Sequence, residues 1–224
     1  MSEQVSIPIL LVKVVVGFII YGLFFFIPAG TFDWPEAWIF LILTFLYVLG
    51  VVFYFWKRDP TILQSRSSVK PEKVFDTVFL ALTGLVFFSM FLITAFNVRY
   101  EGVRVPFELE IIGFGIVICS FVIIFLVMRE NSYASKAIKV QEGQQVISTG
   151  PYAFVRHPMY VGFLMMTLAF PISLGSLLAL PPAVIVVILM AIRAYYEEKT
   201  LINELEGYKE YMQKVKYRLI PKLW

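Results

Sequence analysis

The feature that most constrains this chain is a series of apolar segments, each long enough to cross a lipid bilayer. A membrane helix needs about 20 mainly apolar residues. Four such segments run from about Ile7 to Pro28, Ala37 to Trp56, Val74 to Phe96 and Phe107 to Met128. Because lipid offers no hydrogen-bond partners to an open backbone, these segments are predicted to be helices.

Two shorter apolar runs follow, about Pro158 to Phe170 and Leu177 to Tyr196. Their connector is short and apolar, so they are predicted to form a helical hairpin. The stretch 129–156 before the hairpin is polar, and the chain after Tyr196 is charged. We therefore predict an all-α polytopic membrane protein with about six transmembrane helices, a C-terminal hairpin and a tail helix.

The predicted helices divide the chain into two parts. Residues 1–128 hold the four N-terminal transmembrane helices. Residues 129–224 hold the polar loop, the hairpin and the C-terminal helix, and they are expected to form the functional core.

Composition agrees with a membrane location and narrows the partners. The chain is 59% hydrophobic and 16% charged, whereas soluble domains carry about 25% charged residues. Its net charge of +3 is modest, and the basic residues lie in loops, which suits lipid headgroups better than nucleic acid. With one cysteine, Cys119, and one histidine, His157, a metal centre with nitrogen and sulfur ligands is not expected.

The distribution of Lys and Arg predicts the orientation. The connection 57–73 contains Lys57, Arg58, Arg66, Lys70 and Lys73, and the loop 129–156 contains Arg129, Lys136, Lys139 and Arg156. The connection 30–36 contains none. Since basic loops face the cytoplasm, both termini and the 129–156 loop are expected there. Trp34 and Trp38 at one end of the second segment and Trp56 at the other predict an aromatic belt.

The run GPYAFVRHPMYVG at 150–162 is the most unusual in the chain, because it holds the only histidine where a polar loop meets the bilayer. Pro158 suits the first turn of a helix. By itself the run is compatible with two interpretations. Arg156 and the tyrosines anchor a helix start at the headgroups, or they belong to a functional site.

A second polar group lies at the end of the last span, where Arg193 and Glu197 are four residues apart and share a helix face. Alone, the pair is typical of an interfacial ion pair. In a hairpin, however, the start of the first helix and the end of the second lie at the same membrane face. His157 and Tyr160 can then converge with this pair, and polar groups at one depth of a membrane bundle indicate a functional site.

Four elements in order resemble the isoprenylcysteine carboxyl methyltransferase family, whose wider group includes phospholipid methyltransferases. They are the 150–162 run, R-x-x-x-E-E from Arg193, Tyr208-x-x-Tyr211, and Arg218-Leu219-Ile220-Pro221. The resemblance covers about residues 133–222. It implies a membrane-embedded methyltransferase that converts S-adenosylmethionine to S-adenosylhomocysteine. The implied acceptor is an isoprenylcysteine-like carboxylate or a related lipid-linked or small molecule.

The resemblance also implies roles for single residues. Arg193 would contact the substrate, and Glu197 would bind polar groups of the cofactor, so both are candidate catalytic residues. The other implied cofactor-binding residues are Gln141, Gln144, Gln145, Val146, Ile147, Tyr152, His157, Pro158, Met159 and Tyr160. Many family members have His at the position of Gln144, so a role that needs an ionisable group is not expected there.

The alternative from another class is a non-enzymatic membrane protein, either a lipid-binding protein or a small transporter. The sequence shows no internal repeat, which disfavours a transporter built from inverted halves. The tail from Glu197 to Lys222 is predicted to be an amphipathic helix. We hypothesise that it covers the cofactor pocket with its apolar residues, which are Leu201, Leu205, Tyr208 and Met212.

Overall fold

The computed structural model describes residues 7–58, 74–133, 138 and 140–222. The α-helices of these residues are α1 (Ile7–Ala29), α2 (Pro35–Arg58), α3 (Val74–Arg99), α4 (Phe107–Glu130), α5 (Pro158–Ser173), α6 (Leu180–Glu204) and α7 (Tyr208–Lys214). Two 3-10 turns, Gly150–Ala153 and Leu177–Ala179, precede α5 and α6. The predicted all-α class is confirmed. The basic residues Arg66, Lys70, Lys73, Lys136 and Lys139 lie outside the described residues, as does the terminal Trp224.

Five of the described helices, α1 to α4 and α6, are long and apolar enough to cross a membrane. Helix α5 is apolar but has only 16 residues, or about 24 Å against a hydrocarbon core of about 30 Å. It packs tightly on α4 because Gly162 has no side chain. A Cβ atom at this position would lie 2.7 Å from Ile124 Cγ1. The bundle of five long helices and a shorter sixth agrees with the predicted membrane fold.

Aromatic rings hold the middle of the bundle together. The Phe91 ring lies 4.6 Å from Phe170 and 5.2 Å from Phe25, between ring centroids. Phe40 lies 5.3 Å from Phe170. Because α1, α2, α3 and α5 each contribute one ring, the cluster fixes α5 against three of the N-terminal helices.

Trp34 is not part of an aromatic belt, and that prediction is wrong for this residue. Its side chain is 1% exposed, and its ring packs edge-on against Phe25 at 5.7 Å. The connection between α1 and α2 is short, so residue 34 lies over the end of the bundle, where burying a large ring is favourable. Trp38 and Trp56 remain exposed, as a belt requires.

The connection after α3 shows how the hairpin is oriented. Arg104 pairs with Glu36 at the start of α2 at 2.5 Å, and it forms an antiparallel backbone bridge with Ser176 between α5 and α6. The end of α5 and the start of α6 therefore lie at this end of the bundle. The start of α5, the end of α6 and the start of α3 lie together at the other end.

The sequence predicts one helix from Glu197 to Lys222, and this prediction is wrong. Helix α6 continues without a break to Glu204. The chain then turns at Gly207, whose φ of +80° favours glycine, and α7 ends at Lys214. The tail is a short helix followed by a non-helical segment.

Candidate active site

Arg193 of α6 lies at the centre of a buried chain of hydrogen bonds. Its Nε and Nη2 atoms donate to Asp76 Oδ1 of α3 at 3.1 and 3.0 Å. Its Nη1 atom donates to the Tyr160 hydroxyl of α5 at 2.5 Å, and that hydroxyl donates to Glu197 Oε2 at 2.5 Å. The structure thus brings together three residues that the sequence placed at one end of the hairpin, and it adds Asp76.

Of the two carboxylates in this series of hydrogen bonds, Glu197 is the one that faces open space. Arg193 Nη1 lies 4.0 Å from Glu197 Oε2, which is beyond hydrogen-bond distance. The Glu197 side chain is 28% exposed, whereas that of Asp76 is 1% exposed. A ligand can therefore reach Glu197 but not Asp76.

Glu198 belongs to a second, separate group of charges. Its side chain is 2% exposed. It accepts hydrogen bonds from Arg156 Nε at 2.5 Å and from Arg218 Nε at 2.7 Å, and Arg218 Nη2 also pairs with it. Because successive residues of a helix point in different directions, Glu197 and Glu198 serve different partners. A carboxylate this deeply buried needs such pairing.

Arg156 also holds the segment that follows α7. Arg156 Nη1 donates to the carbonyl oxygens of Val215 and Lys216 at 2.9 and 2.7 Å. The backbone N–H groups of Arg156 and His157 donate to the carbonyls of Tyr217 and Arg218 at 2.9 and 3.0 Å. The segment after α7 therefore lies along the start of α5, and this pairing takes the place of further helical hydrogen bonds.

These elements enclose a cavity of about 650 Å³, a volume in the usual range for small-molecule sites. Its polar border includes Asn131, Gln144, Gln145, His157, Arg193 and Glu197. Its apolar border comes from the membrane helices and includes Leu80, Gly84, Phe87, Ile124, Phe163 and Met190. One cavity thus joins a polar region near the loop to an apolar region among α3 to α6.

The structure places most of the implied site residues at this cavity. Those that border it are Gln144, Gln145, Val146, Ile147, Tyr152, His157, Met159, Tyr160, Arg193 and Glu197. Gln141 and Pro158 do not border it. Gln141 holds the loop, since its N–H donates to Gln144 Oε1 at 2.9 Å and its Nε2 to Tyr133 O at 2.5 Å. Pro158 begins α5. The binding and catalytic roles of all these residues stay predictions.

Three polar atoms at the cavity border indicate a polar ligand. Thr83 Oγ1, His157 Nε2 and the Tyr208 hydroxyl are buried and have no hydrogen-bond partner among the described residues. His157 Nε2 lies 3.8 Å from Glu198 Oε1, beyond hydrogen-bond distance. Buried polar atoms are nearly always hydrogen-bonded, so a ligand with donors and acceptors fits this space. Burial raises the pKa of Tyr208 and of Tyr211 well above the usual value, so both phenols are neutral at physiological pH.

The tail contributes to the cavity as well. Of the four residues in the lid hypothesis, Leu201, Leu205 and Tyr208 border the cavity, and Tyr211 joins them. Met212 packs beside the buried tail cluster instead. The lid role itself stays a hypothesis.

Sequence reasoning missed the contribution of α3, which is Asp76, Thr83 and Gly84. Asp76 carried no distinguishing signal, because acidic residues also lie in the first turns of α2 (Glu36) and α4 (Glu108 and Glu110) and are favoured at helix N-termini in general. Its partner Arg193 lies 117 positions later, and no local pattern links the two. Among the described residues, no group of three or more His, Cys, Asp or Glu side chains is placed to hold a metal ion.

A known protein-family model matches part of the chain. Residues 109–208 match the family model described as phospholipid methyltransferase. The matched region begins in α4, includes the loop and the hairpin, and ends at the first residue of α7. It confirms the resemblance to this methyltransferase group and supports a membrane methyltransferase. A comparison with curated proteins found no match.

Proposed function

We propose that this protein is a membrane methyltransferase that transfers the methyl group of S-adenosylmethionine to an acceptor that reaches the cavity from the bilayer. The observation that carries the proposal is the cavity itself. It combines buried polar atoms without partners, an accessible carboxylate at Glu197 and an apolar region among the membrane helices. The match to the phospholipid methyltransferase model favours this proposal over a non-enzymatic lipid-binding protein or small transporter.

The polar region suits the cofactor. S-adenosylmethionine, when bound, supplies an electrophilic methyl group on a cationic sulfur. Glu197 can pair with the ligand's ammonium group or accept hydrogen bonds from its hydroxyls. The neutral rings of Tyr208 and Tyr211 offer faces that attract a cation, and His157 Nε2 and the Tyr208 hydroxyl can hydrogen-bond the remaining polar groups. The segment from Gln144 to Ile147 also borders the cavity.

The apolar region suits a lipid-linked acceptor. Leu80, Phe87, Phe163 and Met190 offer a surface for a hydrocarbon chain. Because in-line methyl transfer needs little acid or base chemistry from the protein, positioning and exclusion of water are expected to supply most of the rate.

Arg193 is the residue we assign to the reacting end of the acceptor. Its Nε and Nη2 atoms already bind Asp76, so an acceptor would be contacted through Nη1, beside the Tyr160 hydroxyl. That arrangement gives a single contact in place of the paired hydrogen bonds expected for a substrate carboxylate. An acceptor panel should therefore compare a prenylcysteine carboxylate, a phospholipid amine and a thiol.

The experiment has two steps. Detergent-solubilised protein is first heated with and without S-adenosylmethionine or S-adenosylhomocysteine. A ligand that binds only the folded state raises the melting temperature. The panel is then offered with a labelled methyl donor. Label in an acceptor supports the proposal, whereas no thermal shift with either nucleoside would favour the non-enzymatic alternative.

We also propose that the cavity and both termini face the cytoplasm, following the basic loops. The test uses a Cys119→Ser protein with a single new cysteine at Lys209, near the cavity, or at Phe32, near the opposite end. A membrane-impermeant thiol reagent added to intact cells should label the Phe32→Cys protein alone. Labelling of Lys209→Cys alone would reverse the orientation.

A further inference from the structure

Two carboxylates compete for one guanidinium at this site. Asp76 Oδ1 accepts from both Nε and Nη2 of Arg193, whereas Glu197 Oε2 lies 4.0 Å from Nη1. Arg193 and Glu197 are one helical turn apart on α6, a spacing at which arginine and glutamate can pair. That they do not pair closely here is the observation to explain.

The fixed position of Asp76 supplies the explanation. Its Oδ2 atom accepts the backbone N–H of Ile138 at 3.0 Å, so the loop before α5 holds the carboxylate from the side away from Arg193. Asp76 is buried, and in a region of low dielectric constant its attraction for Arg193 is strong. The guanidinium is therefore held towards α3. Glu197 accepts a hydrogen bond from the Tyr160 hydroxyl and keeps only a longer ion pair with Arg193 at 4.0 Å among the described residues.

We propose that Asp76 is a positioning residue that keeps Arg193 from capturing Glu197, so that the Glu197 carboxylate stays available to the bound ligand. This inference rests on the proposed function, because it takes Glu197 as a ligand contact. It also assigns a part in the site to α3, which precedes the matched region 109–208.

The test compares the S-adenosylhomocysteine affinities of the wild type, Asp76→Asn and Asp76→Asn/Arg193→Ala, measured by calorimetry in detergent. In Asp76→Asn the charge that holds Arg193 is removed, so Arg193 turns to Glu197 and affinity falls about tenfold or more, as expected when a charged hydrogen bond to ligand is lost. In Asp76→Asn/Arg193→Ala nothing remains to capture Glu197, and affinity returns towards that of the wild type. Rescue by the added Arg193→Ala substitution is not expected if Asp76 is merely structural.

Glu36→Gln is the matched control. It makes the same carboxylate-to-amide change in the first turn of α2, where Glu36 pairs with Arg104 at the opposite end of the bundle. Its affinity should equal that of the wild type. Asp76→Ser serves as a second variant if Asp76→Asn does not fold, with the same two expectations.

The outcomes separate the inference from the proposed function. If the wild type does not bind S-adenosylhomocysteine, the proposed function is overturned. If it binds and Asp76→Asn binds equally well, or if the double variant binds as weakly as the single one, only the inference is overturned. If both single Asp76 variants fail to fold while the double variant folds, Asp76 serves only to neutralise Arg193, and the inference is again overturned.

Discussion

Arg156 and Glu198 are 42 positions apart in the chain, yet Arg156 Nε donates to Glu198 Oε1 at 2.5 Å inside the protein. The contact joins the start of α5 to the end of α6. Through Arg218 and the carbonyls of Val215 and Lys216, it also binds the tail. One buried carboxylate therefore connects the three segments that surround the polar region of the cavity.

Replacing Glu198 by Gln should destabilise the protein strongly. Arg156 is 8% exposed, and removing its charge partner leaves a buried cation uncompensated, at a cost of about 3–5 kcal/mol. Thermal unfolding in detergent measures the loss. The exposed Glu206→Gln serves as the control and should melt like the wild type. A melting temperature for Glu198→Gln equal to that control would contradict the role we give to the cluster.

Glu197→Gln should act on the cofactor and not on folding. Its side chain faces the cavity, and a lost hydrogen bond to a charged acceptor weakens binding about 10- to 100-fold. Calorimetric titration with S-adenosylhomocysteine measures the change, with Glu206→Gln again as the control. Equal affinity in Glu197→Gln and the wild type would remove Glu197 from the cofactor site.

Arg193→Ala should lower turnover far more than cofactor affinity. It also leaves the buried Asp76 carboxylate without its charge partner, so we expect a lower melting temperature, and turnover is measured below it. Without the guanidinium the acceptor is no longer positioned, so turnover falls about 100-fold or more. Cofactor affinity should be retained, since Glu197 keeps its place facing the cavity. The exposed Arg129→Ala, at the same end of the bundle, is the matched control for loss of a positive charge. If Arg193→Ala turns over normally with the acceptor identified in the panel, Arg193 does not contact it.

The membrane helices were predictable because the length of an apolar segment reports directly how much chain lies in lipid. For α3 the sequence predicted Val74 to Phe96, and the helix runs from Val74 to Arg99. Helix ends were less predictable. The last span was expected to stop at Tyr196 but continues to Glu204, because helical hydrogen bonds persist where the side chains have become polar.

The site was predictable to the extent that the hairpin determines it. A hairpin must bring Tyr160 near Arg193, whatever else the bundle does. Asp76 was not predictable in this way, since its approach to Arg193 depends on how α3 packs against α6. Glu198 was not separable from Glu197 by sequence either, because only the three-dimensional packing determines which of two adjacent carboxylates is buried.

Gly84→Leu should discriminate against acceptors with long hydrocarbon chains. Gly84 borders the apolar region of the cavity, and nothing lies within 4 Å of a Cβ built there, so a side chain can begin at this position without a clash. Its side chain would occupy the space we assign to the acceptor's chain. The KM for a long-chain acceptor should rise, while S-adenosylhomocysteine affinity stays constant. Gly17→Leu makes the same change on α1, also in open space. Equal KM values for the long-chain acceptor in these two variants would mean that its hydrocarbon chain does not bind beside Gly84.

Alkaline pH should reveal the buried tyrosines of the tail. Burial holds the pKa of Tyr208 in the folded protein above its value of about 10 in an unfolded chain. The folded state therefore keeps its proton where the unfolded state loses it. The resulting contribution to stability is fully present below about pH 10 and is lost as the pH rises further.

Tyr208→Phe isolates this effect, because the Tyr208 hydroxyl has no hydrogen-bond partner in the described protein. At pH 7 we expect the variant to unfold at about the same denaturant concentration as the wild type. Above about pH 10 its stability should fall less steeply, with Tyr211 supplying part of the slope that remains. Tyr100 is 74% exposed, so Tyr100→Phe should keep the wild-type slope. Parallel stability curves for Tyr208→Phe and the wild type would mean that Tyr208 ionises as freely in the folded protein as in the unfolded chain, and that the tail does not bury it.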